Sequence, residues 1–106
     1  MEVTKESVGD LFTGHVVVGT NRTRVVALNF EGMLKGILIR APGSGDPTPN
    51  TAPVWIGGNG VKADSSVNNG GMPIPPGEAL YIPMSNLGKL WAISTAVDQD
   101  LAWMAM

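Results

Sequence analysis

Cysteine is absent from the 106 residues, and histidine occurs once, at position 15. The first absence removes disulfides, thiolate zinc sites and thiol nucleophiles together. The second leaves His15 without a companion nucleophile or an orienting carboxylate in its neighbourhood of sequence, so a surface or strand-end role is expected for it. Charge is also scarce. Only 15% of residues are charged and the net charge is −2, which implies no global attraction to nucleic acid or to anionic lipid. No apolar run approaches the roughly 18 residues of a membrane-spanning helix. Residues 1–10 lack the basic-then-apolar order of a secretory signal, so synthesis and assembly in a cytoplasm are expected. A good helical period is missing too, outside segments broken by glycine and proline.

What is present points to short strands joined by many turns. The chain holds 14 glycines and 8 prolines beside 43% hydrophobic residues, more apolar content than a disordered chain carries. Length bounds one domain, read as 15–106, with 1–14 as an N-terminal arm or loosely packed segment. A β domain this small without disulfides often completes its burial on partners, so a homo-oligomer is expected.

Along the chain, His15–Gly19 and Arg22–Phe30 read as a first hairpin around Gly19-Thr20-Asn21. Met33–Arg40 is the strongest strand, with apolar residues on both faces. Residues 41–53 form a proline-rich loop. Pro53–Gly58 is a short strand with Val54 and Ile56 on one face and Trp55 on the other. Gly57-Gly58-Asn59-Gly60 turns the chain, Val61 anchors it, and 62–71 is a polar loop. Pro75-Pro76-Gly77-Glu78 fits a type II turn. Ala79–Pro83 is a strand with Leu80 and Ile82 on one face and Tyr81 on the other. Ser85–Gly88 turns again before a strand over Leu90–Ala96. Asp98-Gln99-Asp100 is expected to close that strand, and Leu101–Met106 follows with Leu101 and Trp103 opposite Met104 and Met106. The fold class is therefore all-β, a small antiparallel β-sandwich or jelly-roll-like barrel.

Catalytic constellations do not emerge. The carboxylates are dispersed, and Asp98 and Asp100 do not continue into a calcium loop. The glycine run at 57–60 is not followed by the lysine and hydroxyl residue of a phosphate-binding loop. Arg22, Arg24, Lys35 and Arg40 are the only basic concentration, and nucleic acid is not the expected partner. No enzyme, cofactor or metal is expected. Candidates for an interface are the large anchors Trp55, Tyr81, Trp91 and Trp103 with Met104, since tryptophan and tyrosine dominate binding hot spots. Trp55 with the loop asparagines Asn59, Asn68 and Asn69 is the candidate for a carbohydrate platform.

Three ordered segments resemble a known pattern: Gly36–Pro42, then Ala52–Val61 with its Val54-Trp55-Ile56-Gly57 strand, then Met72–Glu78 followed by Tyr81-Ile82-Pro83 and Leu90–Ser94. Together, over about 34–96, they are similar to small β-sandwich virion proteins of tailed bacteriophages, where a V-x-I-G strand, a P-L-x-P-G-E turn and an L-Y-x-I strand follow in order. The loop 63–71 is longer here. The resemblance implies a structural virion protein without catalytic residues, found in head-decoration, tail and fibre modules. The leading expectation is a capsid decoration (cement) protein, trimeric, clamping the major capsid protein in the virion. The alternative is a tail, baseplate or fibre-knob module that binds host-surface glycan.

Overall fold

A computed structural model describes residues 11–26 and 35–105. The expected arm over 1–10, the segment 27–34 and Met106 lie outside the described residues. Eight strands are found among those described: β1 (Phe12–Val18), β2 (Thr23–Arg24), β3 (Ile37–Arg40), β4 (Val54–Gly57), β5 (Met72–Ile74), β6 (Ala79–Ile82), β7 (Trp91–Ser94) and β8 (Gln99–Ala105). They form two four-stranded antiparallel sheets, ordered β1-β8-β3-β6 and β2-β7-β4-β5. The first strand pairs with the last, the second with the seventh, the third with the sixth and the fourth with the fifth. One long hairpin rolled across two layers has this order, which is the jelly-roll arrangement.

Alternation explains the layers. In β3, β4 and β8 the buried residues Ile37, Ile39, Val54, Ile56, Leu101, Trp103 and Ala105 take every second position and face the gap between sheets. Val18, Val25, Val26, Ile74, Leu87, Leu90 and Ala92 complete one continuous core. Burial of so many branched side chains is the main stabilising term for a fold without disulfides.

The expected first hairpin is not formed. β1 and β2 belong to different sheets, and 19–22 carries the chain across the sandwich. β2 is only Thr23–Arg24, and the valines that follow it, Val25 and Val26, are buried in the same core as Val18 of β1. The crossing is tied to the second sheet by the Ser94 N–H, which donates to the Gly19 carbonyl at 2.8 Å. Residues 12–14 of the expected arm belong to β1.

Two further differences concern short segments. Met72–Ile74, left between turns by the sequence pattern, is strand β5. Gln99 and Asp100 begin β8 instead of lying in a turn, and only Asp98 (φ 58°) takes the left-handed conformation before them. The type II turn is formed as expected: Gly77 has φ 89° and the Glu78 N–H donates to the Pro75 carbonyl at 3.1 Å.

A buried polar knot holds the loop after β3 against β8. The Gln99 amide oxygen accepts from the N–H groups of Thr51 (2.8 Å) and Ala52 (3.0 Å), while its nitrogen donates to the Val97 carbonyl (2.8 Å) and the Thr51 hydroxyl (3.2 Å). Asn50 exchanges two 2.7 Å hydrogen bonds with the Asp100 backbone, and the Ser94 hydroxyl donates to the Pro53 carbonyl at 2.9 Å. These three buried polar side chains are thereby satisfied, as burial requires.

Candidate functional site

The outer face of the first sheet is poor in charge. Register places Thr13, Met104, Leu38 and Tyr81 in one row across it, and His15, Ala102, Arg40 and Ala79 in the next. Met104 and Leu38 are half-buried, whereas Tyr81 and Val17 stay 46% and 54% exposed. The Tyr81 hydroxyl end lies over Gly36, in space that a side chain at 36 would fill. The charge of Arg40 is already compensated by Asp46 at 3.0 Å. That hydrogen bond, with the Gly43 N–H, holds the Asp46 carboxyl below its usual value. Asp100, opposite Val17 in the following row, keeps a carboxylate on this face without an ion pair among the described residues; the rest of the face is neutral, which suits contact with another surface.

The outer face of the second sheet is covered by the chain itself. Trp91 and Ile93 on β7, Trp55 on β4 and Pro73 on β5 point outward there, each half-buried. Val61 is buried over Gly57 and Gly71, close enough that a Cβ on either would come within 2.9 and 2.8 Å of its methyl group. Val61 stands outside the main core, so these residues form a small satellite cluster under the loop after β4. Two arginines close it. Arg22 donates from Nε to the Val61 carbonyl at 2.7 Å, and the Arg24 guanidinium lies 5.3 Å from the centre of the Trp91 ring. The sequence pattern had grouped Arg22 and Arg24 as a basic concentration; both are engaged within the fold.

Asn59, Asn68 and Asn69 are each exposed on this loop, and the Asn69 side chain lies beside Gly60. Hydrogen bonds from Lys62 N–H to the Asn69 carbonyl (3.0 Å) and from Gly71 N–H to the Lys62 carbonyl (2.9 Å) close its base. Within it Asp64 accepts from the hydroxyl and N–H of Ser66, which lowers its carboxyl below the usual value. Gly71, at the base of this loop, packs against the Trp55 Cβ. Trp55 is not an open platform, however: its indole Nε1 is buried and has no hydrogen-bond partner among the described residues. Trp103 is 9% exposed and belongs to the core.

An open cleft of about 420 Å³ lies at the crossing from β1 to β2, with Thr20, Asn21, Arg22, Thr23 and Asp98 as its polar lining. Among the described residues no group of three or more histidine, aspartate or glutamate side chains gathers where a metal would sit. Among them, too, no helix is long and apolar enough to cross a membrane. Sequence reasoning missed the roles of Gly14, Gly36, Asn50 and Gln99. The glycines give no periodic signal, and the amide partners lie 47 to 50 residues apart. No protein-family model, no curated protein and no solved structure matches the chain.

Proposed function

We propose that the chain is a structural virion subunit, a capsid decoration or cement protein of a tailed bacteriophage that attaches to the assembled head and stabilises it without catalysis. The observation that carries this reading is the largely neutral outer face of the first sheet, offering Tyr81, Leu38, Met104 and Val17 on a jelly-roll scaffold. The ordered turn motifs add to it, as does the use of jelly rolls in capsid domains, though a fold by itself assigns no activity. The partner is the major capsid protein, met in the virion after assembly in the host cytoplasm. An interface of about 1,600 Å² suffices for specific attachment, and many copies on one shell add avidity. Quantitative mass spectrometry of purified particles tests the reading. Copies in proportion to capsid subunits support it, and a handful of copies confined to the tail contradicts it.

A second reading is favoured by the exposed Asn59, Asn68 and Asn69 on the loop whose base packs on Trp55: a tail, baseplate or fibre-knob module that binds host glycan. Alanine at the three asparagines is the informative variant, because Trp55→Ala would also strip the satellite cluster. Glycan-array binding lost in that variant supports this reading, and binding by neither protein counts against it.

A further inference from the structure

The sequence contains two Asn-Gly pairs, Asn59-Gly60 and Asn69-Gly70, and both lie between β4 and β5. Asparagine before glycine is the pair most prone to lose its side-chain amide, because glycine has no Cβ to shield its own backbone nitrogen from the side-chain carbonyl beside it. That nitrogen must be free to attack, and in this respect the two pairs differ.

Gly70 is held. Its N–H closes the turn that carries Asn69, donating to the Val67 carbonyl at 2.9 Å, and Asn69 itself has φ 63°. The Asn69 carbonyl is held too, since it accepts from the Lys62 N–H at 3.0 Å. A Cβ at position 70 would run into the Asp64 carbonyl oxygen, so the peptide group there has little room to turn. Gly60 is differently placed. In the turn from Gly58 to Val61 it is the Val61 N–H that donates, to the Gly58 carbonyl at 3.1 Å, and the Gly60 N–H has no hydrogen-bond partner among the described residues. Asn59 and Gly60 are both exposed, and a Cβ on the preceding Gly58 would meet nothing within 4 Å.

We infer that Asn59 is a site of spontaneous deamidation in the folded protein and that Asn69, in the same dipeptide, is protected. The Gly60 backbone nitrogen gives its proton to hydroxide and bonds to the Asn59 side-chain carbonyl carbon. The bond from that carbon to the amide nitrogen breaks, and the nitrogen takes up a proton and leaves as ammonia. Water then opens the succinimide ring at one carbonyl or the other, leaving aspartate or isoaspartate at position 59. Either product puts a carboxylate where a neutral amide stood. The isoaspartyl product also lengthens the backbone within the turn that leads into Val61, which is buried over Gly57 and Gly71. Only water is consumed, so the site is independent of where the protein acts, and failure of the capsid reading would leave it standing.

Trypsin separates the two pairs: cleavage after Arg40, Lys62 and Lys89 places Asn59 in peptide 41–62 and Asn69 in peptide 63–89. The full folded chain is incubated in mildly alkaline buffer, sampled over time and digested. Mass spectrometry reads the exchange of an amide for a carboxyl, and fragmentation assigns it to a position. Conversion at Asn59 should outrun conversion at Asn69 by about tenfold, the scale set by the hydrogen bond that Gly70 must first give up. In the urea-unfolded chain, where that bond is gone, the two rates should converge. Gly60→Ala, whose Cβ would lie 3.7 Å from the nearest Asn69 atom and so fits, should slow conversion at Asn59 in both states. Methyl transfer by an isoaspartyl methyltransferase should label peptide 41–62 of the aged folded protein. Equal rates in the folded protein, faster conversion at Asn69, or an Asn59 that reacts only after unfolding would overturn the inference.

Discussion

Trp103 lays its indole on Gly14 of the neighbouring strand, its direct partner in the β1–β8 register. A Cβ at position 14 would lie 2.6 Å from Cζ2 and 2.8 Å from Cε2 of that ring. The glycine is therefore the floor on which the largest core side chain rests. Gly14→Ala should cost about 1–3 kcal/mol by overpacking. Trp103→Ala should cost about 3–5 kcal/mol by leaving a cavity. Because the two share one space, Gly14→Ala combined with Trp103→Ala should be less destabilising than the sum. Urea titrations of the four proteins measure this cycle, and strict additivity would refute the contact as the cause.

Gln99 stands at the centre of the buried polar knot. Gln99→Leu removes the acceptor from the Thr51 and Ala52 N–H groups. Each orphaned donor costs about 1–3 kcal/mol when it stays buried. The expected outcome is a lower unfolding midpoint together with faster amide exchange at 51 and 52. Unchanged exchange at those two amides would show that the knot is not what holds the loop.

The Arg22 bond to the Val61 carbonyl pins the loop after β4 over the satellite cluster. Arg22→Ala should accelerate hydrogen exchange across 58–71 while leaving the Ile37, Ile39 and Leu101 amides protected, since the loop opens as a local unit. Trp55 and Trp91 fluorescence should shift to the red as water reaches them. Uniform deprotection of the whole domain would mean that the cluster and the core unfold together.

Asp46 and Asp64 both have carboxyl groups held below the usual 3.8, through hydrogen bonds from Arg40 and Gly43 and from Ser66 respectively. A carboxyl depressed in the folded state stabilises the fold fully above its unfolded value, and that contribution disappears as pH falls through the folded value. Stability should accordingly be flat in these groups near neutrality and decline below about pH 4. Asp46→Asn and Asp64→Asn should each reduce the acid-side slope of the urea midpoint. Both groups are solvent-exposed, so the change is expected to be small.

The strands that alternate over a buried face were legible in the sequence: Val54 and Ile56 against Trp55, and Leu101 against Met104, follow the period of two that a half-buried strand imposes. The turn at Pro76-Gly77 was legible because its chemistry is local. What pattern could not supply is which sheet a strand joins. β1 and β2 read as a hairpin since only a few residues separate them, yet β1 pairs with β8 and β2 with β7, and Val18 and Val25 enter one core. The candidate site divided in the same way. Tyr81 and Met104 fell on the open face as their alternation implied, whereas Trp103 went to the core because Gly14, 89 positions away, leaves it room.

Attachment to an assembled shell is the central claim, and adding purified protein to heads that lack it tests the claim most directly. Sedimentation of the mixture should bring the protein down with the shells, saturating at a fixed ratio to capsid subunits. Lysine at Tyr81 and Leu38 on the outer face should abolish that binding in a protein whose circular dichroism is unchanged. Protein that stays in the supernatant with intact heads at every concentration would contradict the account.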